Sequence, residues 1–127
     1  MDARILLAPV LLLGLGTASA TEYRFVAADS KPETQMCIAA GSNKTGKLRL
    51  QMNEHHGSTR YHANSVQCNG KSLAQFAYQY GADKAYTFLA GHSYDRNKAI
   101  ESVTIKDLSA ANAQGSDEVV YVQVSSR

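Results

Sequence analysis

The chain has 127 residues, with 13 lysines and arginines against 11 aspartates and glutamates, a net charge of +2 with histidines neutral, and no tryptophan. That length suits one domain with one modest core. The charges are scattered, which excludes the basic block of a nucleic-acid site or a polybasic membrane surface, so no nucleic-acid partner is expected.

Met1-Asp2-Ala3-Arg4 is followed by an apolar run from Ile5 to Leu15, and Ala18-Ser19-Ala20 gives a small-x-small pattern. This is the form of a secretory signal peptide over residues 1–20, with a weak start because Asp2 offsets Arg4. The run is shorter than a membrane span needs, and Pro9 interrupts it. The expected product is a mature chain, residues 21–127, which is a single α+β domain, periplasmic or secreted, with no membrane span. Both cysteines, Cys37 and Cys68, lie in it. An even pair in an exported chain reads as a disulfide. Free thiols acting as metal ligands or as a redox couple are the alternative, but a redox couple wants its cysteines two residues apart.

Tyr23 to Val26 is short, aromatic and branched, and reads as an edge strand or an arm on the core. Asp29 or Ser30 then opens a helix, with Pro32 in the first turn and Gly41 as the stop. If Ser30 caps, Glu33 completes a capping box. Ser42 to Gly46 is a polar connector. Lys47 to Glu54 is ambiguous: Leu48, Leu50 and Met52 alternate like a strand, whereas Leu48, Met52 and His55 keep helical spacing. Propensities of Leu, Arg, Gln, Met and Glu favour helix. Gly57-Ser58-Thr59 breaks it, and Arg60 to Gln67 is mixed.

The most informative stretch runs from Cys68 to Gly81. Asn69-Gly70 is a turn signal. Ser72 caps a helix, Gln75 stands where a capping box needs it, and Gly81 suits the left-handed position that ends a helix. Leu73, Phe76, Ala77 and Tyr80 share one face. After Gly81, Asp83 starts a short helix bearing Ala85, Phe88 and Leu89, or a strand takes residues 85–89. His92 to Lys98 reads as loop. Alternation around Val103 and Ile105, and again at Val120, Val122 and Val124, predicts two strands joined by the loop 112–117. The expected architecture is a small disulfide-linked helical part followed by a C-terminal β-hairpin, with Tyr23 to Val26 available as a third strand.

The densest metal-capable set is Glu54-His55-His56 with His62, which suits Zn²⁺ or Cu²⁺ by ligand type. Adjacent histidines on a helix point about 100° apart, and the two-His run lacks the spacing of a zinc protease. Solvated residues at a helix end are the plainer account. His92-Ser93-Tyr94-Asp95 holds a histidine, a serine and an aspartate, but proximity in sequence does not orient a base on a nucleophile. No catalytic residue and no cofactor is assigned, and the reading leans away from an enzyme. The seven tyrosines carry more. Tyr61, Tyr78, Tyr86 and Tyr94 form the candidate interaction surface, since tyrosine joins an apolar body to a polar tip. Core packing is the competing role.

Arg24-Phe25-Val26-Ala27-Ala28, Cys37-Ile38-Ala39-Ala40, Cys68-Asn69-Gly70, Phe76-Ala77 and Tyr80-Gly81 together resemble a family of small exported gamma-proteobacterial proteins, domain of unknown function 3718. The resemblance spans about Tyr23 to Gly81. It implies a periplasmic location and agrees with the cysteine pairing. It carries no activity, substrate or catalytic residue. The functional expectation is a binding or interaction module for an unknown envelope protein or small ligand. A Zn or Cu protein, or a structural or stress-related envelope protein, is the alternative.

Overall fold

The computed structural model describes residues 21–99 and 118–127. The proposed signal segment, and the strand expected around Val103 and Ile105, lie outside them. Five helices and two small sheets are built from these residues: β1 (Glu22–Ala27), α1 (Pro32–Gly41), α2 (Thr45–Glu54), α3 (Thr59–Ser65), β2 (Gln67–Cys68), β3 (Lys71–Ser72), α4 (Leu73–Gln79), α5 (Asp83–Ala90), a 3₁₀ turn (Asp95–Asn97) and β4 (Val119–Val124). Among the described residues no helix is long and apolar enough to cross a membrane.

α4 forms as its residues dictate. Ser72 Oγ accepts the Gln75 amide at 3.1 Å, and Gln75 Oε1 accepts the Ser72 amide at 3.1 Å, closing the capping box. Gly81 has φ +72°, the conformation a helix stop asks of glycine. Leu73, Phe76 and Ala77 are buried and Tyr80 is half-buried. Burial raises the Tyr80 phenol above its ordinary value, with a smaller contribution from Tyr23. Ahead of the helix, Asn69 (φ 49°) and Gly70 (φ 84°) make the tight turn between β2 and β3, where two positive φ values are required.

α1 packs on α4, α2 and β1. Cys37 and Cys68 are joined, with Cα atoms 5.6 Å apart and both residues fully buried. The bond fastens α1 to the residue that leads into the β2–β3 turn. Gly41 is the last residue of α1 rather than the left-handed stop. A Cβ there would stand 2.8 Å from the Phe76 ring and 2.9 Å from the Phe25 ring, so its hydrogen lets two aromatic rings close over the helix end. The left-handed residue is Asn43, φ 62°. Its side chain accepts the Ala85 amide at 2.9 Å and donates to Asp83 at 3.2 Å, capping α5 from across the fold.

The Ser30–Glu33 capping box does not form. The helix starts at Pro32 with Lys31 as its cap residue, which places Glu33 one position too early. Asp29 takes the role instead, accepting the Lys31 amide at 3.0 Å and the Thr34 hydroxyl at 2.6 Å. The Thr34 hydroxyl, then the Lys31 amide, hold the Asp29 carboxyl below its ordinary value. α2 is helical, with Leu48 and Met52 buried four residues apart and Leu50 exposed. It begins at Thr45, so the connector before it is shorter than expected.

The expected C-terminal β-hairpin is corrected. β4 pairs in parallel with β1, with Glu22 opposite Val119 and Ala27 opposite Val124. Alternation marks a strand but does not choose its neighbour. β1 carries the same alternation, with Tyr23, Phe25 and Ala27 turned inward beside Val120, Val122 and Val124. Parallel pairing also needs a long connection, which the helices between the two strands supply. Beyond β4, Asn69 donates to the Gln123 carbonyl at 3.0 Å and accepts the Ser125 amide at 2.9 Å. Ser126 meets Thr34 hydroxyl to hydroxyl at 2.7 Å. The last residues are thus tied to the turn after Cys68 and to the first helix.

Candidate functional site

α3 has little apolar periodicity, and only His62 and Ala63 of it are buried. It is held by polar chemistry. Ser58 Oγ accepts the Tyr61 amide at 3.0 Å, and the Ser65 hydroxyl donates to the Tyr61 carbonyl at 2.6 Å. Two serines therefore bracket the backbone of Tyr61. Gly57, at φ +108°, lies directly beneath the ring, and a Cβ there would collide with it. Tyr61 is exposed over 59% of its surface, yet its position is fixed from three sides.

Asn64, one turn further along α3, brings a second tyrosine to the same face. Its amide nitrogen donates to the carbonyls of Arg60 at 2.8 Å and His92 at 2.9 Å. Its oxygen accepts the Tyr94 amide at 2.8 Å and the Asn97 side chain at 2.9 Å. All four hydrogen-bonding positions of the side chain are used. The same turn is gripped by the α4 cap: Ser72 Oγ donates to the Asn97 carbonyl at 2.5 Å, and Gln75 donates to the carbonyls of Arg96 and Lys98, each at 3.2 Å. The capping box that starts α4 thereby also seats the 94–98 turn.

The result is an open groove of about 370 Å³ lined by Ser58, Arg60, Tyr61, Asn64, Ser65 and Tyr94. Arg60 and Arg96 lie over the Tyr94 ring, 5.0 and 4.8 Å from its centre. Substituting Asn64→Ala should cost about 1–2 kcal/mol in urea unfolding, because four bonds, two of them part-buried, are lost together. Its amide exchange should rise at residues 92–97 before it rises in α4. An unchanged exchange pattern would contradict the positioning role.

The four tyrosines expected to form one surface divide into two pairs. Tyr61 and Tyr94 line the groove. Tyr78 and Tyr86 are half-buried, with ring centres 5.2 Å apart, and join α4 to α5. Of the metal candidates, His55, His56 and His62 line a separate cleft of about 450 Å³, shared with Glu33, Val66 and Arg127, and Glu54 is not among its lining residues. His62 is buried, and its Nε2 lies 3.5 Å from the His55 carbonyl. Among the described residues no three His, Cys, Asp or Glu side chains converge in a way that would hold a metal ion. Tyr61 and Ser65 border both clefts, so α3 forms the ridge between them.

Arg60, Arg96, Asn64 and Gly57 were not singled out by the sequence. Gly57 reads there as a helix breaker, and Asn64 sits in a segment with no clear period. The one local signal was Ser58, three residues before Tyr61, at the spacing of a helix cap.

A family model described as a protein of unknown function, DUF3718, matches residues 36–110. The chain belongs to the DUF3718 family. The matched segment starts later and ends later than the resembling residues. It includes both cysteines, α3 and the 94–98 turn, and it leaves out β1 and β4. Among curated proteins and solved structures, nothing matches this DUF3718 chain.

Proposed function

We propose that this DUF3718 chain is a small exported binding module that acts through the groove between α3 and the 94–98 turn. The signal-like residues 1–20 and the cysteine pair support an oxidising, extracytoplasmic setting. The observation that carries the reading is the treatment of Tyr61 and Tyr94. Both are exposed, at 59% and 40%, and the backbone of each is held by neighbouring side chains, Ser58 and Ser65 at Tyr61 and Asn64 at Tyr94. An exposed tyrosine on a backbone held in place offers a large apolar face with few side-chain rotations to lose on binding, as recognition surfaces do.

The test is native mass spectrometry of the chain isolated from cells that make it. The unsubstituted protein should carry an added mass that the Tyr61→Ala, Tyr94→Ala double variant lacks and the Tyr78→Ala variant keeps. An added mass retained equally by all three would place binding elsewhere. An added mass that disappears with a metal chelator and survives the double variant would favour the histidine-lined cleft instead.

A further inference from the structure

The groove is electrostatically one-sided. Arg60 lines the groove and Arg96 stands at its border; both guanidinium groups lie over the Tyr94 ring, which puts them no more than about 10 Å apart. Both residues are exposed. Among the described residues neither has a carboxylate within salt-bridge distance, and the adjacent Asp95 carboxylate is engaged by Lys98 at 3.4 Å. The other polar groups already have partners within the protein. Ser58 and Ser65 are engaged with the Tyr61 backbone, and Asn64 is saturated. What remains facing outward is two forked cationic donors, two phenol groups and the ring of Tyr61.

Guanidinium groups match the planar or tetrahedral oxygens of carboxylates and phosphates, and two of them held near each other are relieved by an anion between them. We propose that the groove takes an oxyanion, a carboxylate or a phosphate, carried on an apolar or planar body. Arg60 and Arg96 hold the anion, and Tyr61 covers the body. This rests on the reading of the groove as the binding surface and names the chemistry it selects. Because the guanidiniums are solvent-exposed, the interaction weakens as salt rises.

The experiment is a titration of the isotopically labelled chain, residues 21–127, followed by NMR, with three probes of one shape: benzoate, phenyl phosphate and benzyl alcohol. Benzoate or phenyl phosphate should shift the amides of Tyr61, Asn64 and Tyr94, at least tenfold more tightly than benzyl alcohol. Which of the two binds better tells a carboxylate source from a phosphate source. Arg60→Gln with Arg96→Gln should remove that preference while leaving the spectrum of the fold intact, and Tyr61→Ala should weaken all binding. Equal affinity for the neutral and charged probes would overturn the anion assignment and leave an aromatic binding groove standing. Shifts confined to the histidine-lined cleft, or none at all, would overturn the assignment as well. If the native mass measurement still locates a ligand in the groove, the binding reading survives that failure.

Discussion

Replacing Cys37→Ala together with Cys68→Ala should lower the unfolding free energy of residues 21–127 by about 4 kcal/mol. The two cysteines are 31 residues apart. Closing a loop of that size in the unfolded chain corresponds to about that figure on the chain-entropy estimate. Set against the roughly 5–15 kcal/mol that holds a typical domain folded, the effect is large. It is also directional. Cys68 leads into the β2–β3 turn, and its backbone pairs with Ser126. Gln67 exchanges backbone hydrogen bonds with Arg127, at 3.1 and 3.2 Å. Without the bond, α1 is released from the residues that anchor the end of the chain. Urea unfolding by circular dichroism should show an earlier midpoint, and hydrogen exchange should rise first at residues 67–72 and 124–127. A loss below about 1 kcal/mol would mean that packing of α1 on α4 makes the covalent bond redundant. Both cysteines are fully buried, so a mild reductant should leave the folded protein oxidised.

Phe76→Ala should cost about 3–5 kcal/mol, the usual range for deleting a buried aromatic ring. Phe76 is 1% exposed and is among the largest fully buried side chains. Its ring packs against Tyr80 at 5.0 Å and Phe25 at 5.7 Å. Phe25 in turn lies edge-on to Tyr80 at 5.0 Å. The three rings join α4 to β1, and two of them, Phe76 and Phe25, cover Gly41 at the end of α1. Removing the central one leaves a cavity that meets a helix end and the sheet at once. Phe76→Leu should cost less, about 1–2 kcal/mol, since it keeps most of the volume. Equal losses for Leu and Ala would show that ring geometry, rather than filled volume, carries the contribution.

What the sequence discloses here is chemistry that is complete within a few residues. Ser72, Gln75 and Gly81 specify α4 because cap, answering side chain and stop all lie inside one segment. Asn69-Gly70 specifies its turn for the same reason. The cysteine pair follows from an even number of cysteines behind a signal-like leader. α2 follows from propensity, where the competing alternation was carried by Leu50, a residue that proves exposed.

The rest depends on partners far apart in the chain. β4 has the period of a strand, but nothing in Val119 to Val124 says that its neighbour is Glu22 to Ala27. α3 escapes because it is held by Ser58, Ser65 and Asn64 rather than by an apolar stripe. The groove escapes for the same reason, since Tyr61 and Tyr94 meet only through Asn64 and the loop it grips. The expected four-tyrosine surface mixed that pair with Tyr78 and Tyr86, which pack α4 on α5. Residue type alone does not separate an exposed tyrosine from a half-buried one.

Ligand recognition at Tyr61 and Tyr94 can be observed residue by residue. The most direct measurement is a two-dimensional NMR spectrum of the labelled chain, residues 21–127, with and without a small-molecule extract of the cell envelope. Shifts should concentrate at Arg60, Tyr61, Asn64, Tyr94 and Arg96, and should be lost in the Tyr61→Ala, Tyr94→Ala variant. Shifts centred on Tyr78 and Tyr86, or on His55, His56 and His62, with the groove unchanged, would contradict it.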